Sequence, residues 1–429
     1  MYDDARDVVP PDLPPLEPAV RERPGAPVSA GSTGAAIAAD RPFDPPVAPG
    51  TAAARGARAL DGDPLRIAIV GATGYVGAEL IRLLAMHPHV EIVGLVGRER
   101  RGDPLAGIHP HLATRNLHVY DTIPDDAEAV FLALPHGAAA GRIDDYRAGG
   151  RTVVDLGPDF RLRDPADYPR WYHFDHPRPE LLAEAVYGLP ELHRSALTRI
   201  GRAPGAIVGA PGCYSTTTIL ALAPLARAGL IGDLVVDAKS GVSGAGRDPK
   251  ADLHFGEVNE SVRAYGIFGH RHTAEIEQEL GALGPGAASG AAAVAGSGTA
   301  ANPGTAANPG VHGVDFLPHL IPMTRGILSA GHVRPTRPVT QEELDGLYAA
   351  AYAGEPFITV THDAPATKHV LGSNEFRVFV RADERTGRII AIGVLDNLVK
   401  GAAGQAIQAF NVVHGLPEAA GLLQLPLAP

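Results

Sequence analysis

A chain of 429 residues is long enough for two domains, each with its own core. Its 45% hydrophobic and 20% charged residues are an ordinary globular balance, and a formal net charge of -11 disfavours a nucleic-acid surface or an anionic membrane as main partner. A single cysteine excludes an internal disulfide framework and suits a reducing cytoplasm, no apolar run has the length of a membrane span, and the first eighteen residues lack the basic start and apolar block of a signal peptide.

Residues 1–63 are rich in Pro, Ala, Gly and Asp without apolar periodicity and read as a disordered leader. RIAIV (66–70) reads as a buried parallel strand; GATGYVG follows at 71–77, then AELIRLLAMH with helical spacing. EIVGLV (91–96), AVFLAL (129–134) and TVVDL (152–156) are further strands, with GAAAGRIDDYRAGG between the last two as a helix and its exit. Strands alternating with helices predict an α/β domain over 64–212, a Rossmann-type doubly wound parallel sheet. From 213 to 397 the character changes. DLVVDAKS, VDFLPHLIP, GILSAGHVRP, FITVTH, EFRVFVRA and RIIAIGVL are strand-like with few helices between them, which predicts an α+β domain with a mixed sheet. Inside it, residues 281–310, with TAANPG at 299–304 and again at 305–310, read as a low-complexity surface insertion. Residues 398–429 include an amphipathic helix near 400–413, expected to return to the first domain.

The glycines of GATGYVG stand between a strand and a helix. Gly71 suits the tight turn, Gly74 the approach of a pyrophosphate, and Gly77 close packing of helix on strand. Thr73, Tyr75 and Val76 share this loop and helix start and complete the expected cofactor contacts. Where an NAD enzyme carries an acid after the second strand, this chain has Arg98, Arg100 and Arg101, which favours NADPH over NADH. Cys213 follows an apolar strand and precedes a helix starting near Ser215. A thiol there has a lowered pKa and is the expected covalent nucleophile. Three histidine clusters, HPH (109–111), HFDH (173–176) and GHRH (269–272), lack Cys or acidic partners at ligand spacing, so no metal is expected. His270 and His272 are the acid/base candidates, on one face if the segment is extended, and Glu275 is placed to orient an imidazole.

The blocks GATGYVGAEL, HPHL, ALPHG, VVDLGPDFRL, YGLPEL, PGCY, DAKSGVSGAGR, GHRHTAEI, PMTRGI and DNLVKGAAGQAIQ occur in this order. Together they resemble the N-acetyl-gamma-glutamyl-phosphate reductases, NADPH-dependent semialdehyde dehydrogenases of arginine biosynthesis. The resemblance runs from about Leu65 to Pro417 outside the insertion. It implies a Rossmann domain, a second domain that forms a dimer or tetramer, and an acyl phosphate substrate. It implies that Cys213 is the nucleophile, His270 the acid/base with His272 as alternative, and Glu275 the acid beside it. Arg161 would bind the substrate phosphate, Ser240 and Gly241 would lie beside nicotinamide and substrate, and Asn397 would lie near the nicotinamide amide. The chain departs from the family pattern at Ala210, where asparagine is usual, at Ser215, where proline is usual and a serine can cap the helix, and at Gly97, where a serine would bind the 2′-phosphate. A paralogous aminoadipyl-phosphate reductase differs by one methylene in its substrate. A non-catalytic NADP sensor is disfavoured by the presence of Cys213 and GHRH, and an aspartate-semialdehyde dehydrogenase by PGCY and GHRH.

Overall fold

The computed structural model describes residues 63–97, 101–113, 117–267, 269–284 and 313–427. The leader through residue 62, Arg98, Arg100 and most of the insertion lie outside the described residues.

Short apolar runs rich in Val and Ile form the first sheet: β1 (Leu65–Val70), β2 (Val90–Val96), β3 (Val119–Tyr120), β4 (Ala129–Leu132), β5 (Thr152–Asp155), β6 (Val186–Tyr187) and β7 (Ile207–Gly209). Their order is β3-β2-β1-β4-β5-β7-β6, with every pairing parallel. Both faces are covered, which is why β4 and β5 are buried at every position rather than alternating. The order reverses between β1 and β4, and the crevice at such a switch point is where open α/β sheets hold ligands. Helix α1 (Tyr75–Leu84) leaves β1 at that crevice.

The second sheet holds β8 (Ile231–Ser240), β9 (Arg263–Ala264), β10 (Asp315–Leu320), β11 (Ile327–Pro335), β12 (Ile358–Val360), β13 (Phe376–Asp383) and β14 (Arg388–Leu395), in the order β12-β13-β14-β11-β8-β10-β9. It is mixed: β8 and β10 run parallel, while β11 pairs antiparallel with β8 and β14. Its strands alternate buried and half-buried positions, so one face is core and the other is open. The longer helices of this half are α2 (Cys213–Arg227), which fills the core beneath the sheet, α3 (His272–Gly281), and α4 (Gln341–Tyr352), capped by the Thr340 hydroxyl. Gly281 is the last residue of α3, so the insertion does not start there as its composition predicts. A π-turn at Val399–Ala403 runs into α5 (Gly404–Val413), whose Ile407 and Phe410 join the core of β1 and β4, with the Phe410 ring 5.3 Å from Phe131.

Candidate active site

The glycine loop has the shape its spacing predicts. Gly71 has φ 83°, and a side chain there would meet the Ala133 carbonyl oxygen at 2.1 Å. A methyl group on Gly77 would lie 2.5 Å from the Gly71 oxygen, so α1 packs against the turn itself. At Gly74 the nearest atom to such a methyl is 3.8 Å away, and no side chain caps α1. The first-turn N–H groups therefore face an open cradle suited to a diphosphate. Tyr75, 41% exposed, stands at its rim, and Val76 packs into the first core. His109 of the HPH cluster holds the loop from behind through the Ala72 carbonyl at 3.0 Å. Gly97 faces Thr73 and Val119, each at 3.2 Å from a built methyl group, so a larger residue would press on the loop.

Cys213 lies where the two sheets meet, four residues past β7 and at the first position of α2. Gly212 is the N-cap. Ser215 lies inside the first turn, fully buried, with no hydrogen-bond partner for its hydroxyl, so it does not cap the helix. The thiol is also not lowered as helix position alone predicts. Burial pushes Cys213 up, against the Tyr214 N–H and the positive charges of Arg161 and Arg271. The turn is clamped from two sides. Lys400, buried within the π-turn, donates to Glu191 at 2.5 Å and Gln408 at 2.6 Å. That turn presents Gly401, where an added methyl would lie 2.8 Å from the Cys213 Cβ.

Glu275 forms the other clamp. One carboxylate oxygen accepts the Gly212 N–H at 2.9 Å and the Tyr187 hydroxyl at 2.8 Å; the other accepts Arg161 at 3.2 Å and the Tyr172 hydroxyl at 3.4 Å. It holds the cysteine turn and not an imidazole, contrary to the sequence expectation. Arg161 also departs from its expected role. Its guanidinium donates to the Ala210 and Leu156 carbonyls, each at 2.7 Å, as well as to Glu275, and it is buried outside the cavity. It ties β5 to the cysteine turn rather than offering a free phosphate site.

The two histidines do not sit on an extended strand. His270 precedes α3 and His272 is its first residue, yet their rings meet at 4.8 Å. The reason is local: the His270 Nδ1 accepts the backbone N–H of His272 at 3.2 Å. The neutral His270 ring consequently carries its proton on Nε2. The His272 ring lies against Gly212, and its Nδ1 is buried without a partner. Burial, reinforced by Arg271, pushes His270 down to about 3; burial and the neighbouring His270 push His272 well below its ordinary value.

A cavity of about 670 Å³ joins Cys213, His270, His272, Ser240 and Gly241. Asn397 stands behind its loop, accepting the Gly326 N–H at 2.8 Å and donating to the Ser243 hydroxyl at 2.9 Å; it supports that loop and does not reach the cavity. Among the cavity residues that sequence reasoning missed are Arg271, His136 and Lys250. Arg271 was in view between the two histidines of GHRH, and His136 in ALPHG. The carboxylate of Asp159 fixes the His136 loop by accepting the N–H groups of Gly137, Ala139 and Ala140 at 2.8–2.9 Å. Among the described residues no group of three or more His, Cys, Asp or Glu side chains is arranged to hold a metal ion.

Residues 66–200 match the model of the semialdehyde dehydrogenase NAD binding domain, and residues 213–295 and 300–397 that of the semialdehyde dehydrogenase dimerisation domain. Fold and site thus define a semialdehyde dehydrogenase. The fold is shared with aspartate semialdehyde dehydrogenase II from Vibrio cholerae, at TM-score 0.59 and 17% identity over 82% of this chain and 98% of that one. It is shared too with the aspartate semialdehyde dehydrogenase solved with NADP from Candida albicans, at TM-score 0.56 and 16% identity over 82% and 99%. Sequence similarity is much higher to N-acetyl-gamma-glutamyl-phosphate reductases: 47% identity to that of Heliobacterium modesticaldum, over 83% of this chain and 98% of the relative, and 43% to that of Moorella thermoacetica, over 85% and 100%. The chain belongs to the N-acetyl-gamma-glutamyl-phosphate reductase family.

Proposed function

We propose that this protein reduces N-acetyl-gamma-glutamyl phosphate to N-acetyl-glutamate 5-semialdehyde, releasing phosphate, with NADPH as reductant. The observation that carries the reading is Cys213 at the head of α2, sharing one cavity with two neutral imidazoles and Arg271. Because burial holds the thiol protonated, attack needs a base, and we assign that role to His272, whose ring lies against Gly212, the neighbour of Cys213. Sγ bonds to the acyl carbon, the carbon–oxygen bond to phosphate breaks, and a thioester remains on Cys213. Arg271 and Lys250, cavity cations with no carboxylate partner among the described residues, balance the charge of the acyl phosphate and the leaving group. A nicotinamide dinucleotide held by the Gly71–Gly77 loop would supply the hydride that reduces the thioester. The proton that His272 took from the thiol passes to the oxygen so formed, to which the His270 Nε2–H offers a hydrogen bond. Returning that proton as the carbon–sulfur bond breaks releases the aldehyde and the thiolate.

The Gly71–Gly77 cradle would hold the cofactor diphosphate, and Arg98 would select NADPH through its 2′-phosphate. Half-exposed Leu328, Ala330, Phe379, Ile390 and Ile392 line the open face of the second sheet and are the proposed contact between copies in a homo-oligomer. Among the described residues no helix is long and apolar enough to cross a membrane. A catalytic thiol must stay reduced, which makes the cytoplasm its proposed location. The test is the reverse reaction. Protein, NADP+ and phosphate are offered N-acetyl-glutamate semialdehyde beside its homologue one methylene longer. Reduction of NADP+ with the former, at least about tenfold faster than with the latter, is expected; preference for the longer aldehyde overturns the substrate assignment.

A further inference from the structure

Arg247 occupies a position that the chemistry so far leaves unexplained. The loop that contributes Gly241, Gly244 and Ala245 to the Cys213 cavity ends at Gly246. Gly246 has φ 90° and ψ 180°, a conformation open essentially only to glycine. It turns the chain so that Arg247 crosses to the first sheet's side. There one terminal nitrogen donates to the Thr73 carbonyl at 2.8 Å, inside the glycine loop, and the other to the Ile108 carbonyl at 3.1 Å. Both acceptors are neutral, and among the described residues no carboxylate pairs with this guanidinium. By contrast Arg325, on the wall of the same cavity of about 650 Å³, is neutralised by Glu79 at 2.9 Å. In a chain of net charge -11, an arginine that pairs only with neutral carbonyls beside a glycine loop keeps its charge available to an anion. Two of its five N–H donors are engaged, so three remain. Tyr75 of the glycine loop helix lines the same cavity.

We propose that Arg247 binds the cofactor diphosphate and thereby latches the loop beside Cys213 onto the dinucleotide site. The inference rests on the reading that a nicotinamide dinucleotide occupies the glycine loop. It adds a cofactor ligand from outside the matched NAD binding domain, residues 66–200. Through Gly246 the same contact ties the cofactor site to the placement of Gly241 and Gly244.

The experiment uses the full chain and direct titration of NADPH and of NADH by fluorescence, with melting temperature as a folding control. Arg247→Ala should weaken both cofactors by the same factor, about tenfold to a hundredfold, because the diphosphate is common to both. Arg247→Lys should recover part of the loss. Gly246→Ala, which misdirects the arginine without removing it, should also weaken both. Unchanged affinity for both cofactors in Arg247→Ala overturns the proposal and makes the residue a simple tie between the two halves. Weakening of NADPH alone overturns it in favour of a 2′-phosphate contact. Failure of the unmodified protein to bind either cofactor overturns the underlying dinucleotide reading, and is distinguishable because it needs no variant.

Discussion

Replacing Glu275 with glutamine changes one oxygen into an NH2 group in a site where every neighbour is a donor. If the new nitrogen takes the place of the oxygen that accepts the Gly212 N–H, two N–H groups face each other at 2.9 Å; if it takes the other place, it faces Arg161 at 3.2 Å. The tyrosine hydroxyls of Tyr187 and Tyr172 can rotate and accept, but an amide N–H and a guanidinium cannot. One hydrogen bond to a charged group is therefore lost whichever way the amide turns, about 1.5–3 kcal/mol. Arg161, buried and deprived of its counter-charge, adds the cost of breaking a buried pair, so the total expected loss is about 3–5 kcal/mol. Turnover should fall as well, by about a hundredfold, since the Gly212 N–H bond sets the turn that carries Cys213. Denaturant unfolding gives the first quantity, and iodoacetamide labelling of Cys213 together with steady-state turnover gives the second. An unfolding free energy within about 1 kcal/mol of the parent, with unchanged turnover, would refute the placement of Glu275 as the clamp of the cysteine turn.

Gly401→Ala should push a methyl group into the Cys213 Cβ and lower turnover by about tenfold to a hundredfold while leaving NADPH affinity unchanged; full activity would show that the π-turn does not position the thiol. Asp155 is fully buried, with one oxygen bound by the Gly157 N–H and the other without a partner; burial, with Asp159 close by, raises it to about 7. A carboxyl raised in the folded state holds its proton longer than in the unfolded chain, so stability falls as pH climbs from about 4 to about 7. Asp155→Asn should remove that slope and gain on the parent by up to about 4 kcal/mol above pH 7, measured as unfolding free energy against pH; parallel curves for the two proteins would exclude it. Because both imidazoles are held below their ordinary range, kcat/KM should show no histidine limb between about pH 6 and 8, and a limb near pH 6.5 would contradict the desolvated pair. In the same assay His272→Ala should slow alkylation of Cys213 by removing its base, and His270→Ala should spare alkylation but lower turnover; the opposite pattern exchanges the two roles.

The glycine loop was legible in the chain because its roles are local. The turn at Gly71 and the packing of Gly77 depend on neighbours a few residues away, and a strand–glycine–helix pattern carries them. The longer strands of both sheets were legible for the same reason, since alternation and unbroken apolar runs each report the number of buried faces, whereas the two-residue strands β3, β6 and β9 are too short to show either pattern. Cys213 too announced itself by its place between strand and helix. What the chain alone determined, then, was which elements form and which residue types could do chemistry. Tertiary structure decided the partners. Arg161 and Glu275 lie 114 positions apart, and only the closing of α3 against the cysteine turn makes them a structural pair rather than a phosphate site and an imidazole holder. The His270 tautomer follows from one backbone N–H at the start of α3, and the raised thiol of Cys213 from burial that outweighs its helix position. Hydrogen-bond saturation and desolvation are properties of the assembled surroundings, set by groups far away in sequence, and no local pattern of residues encodes them.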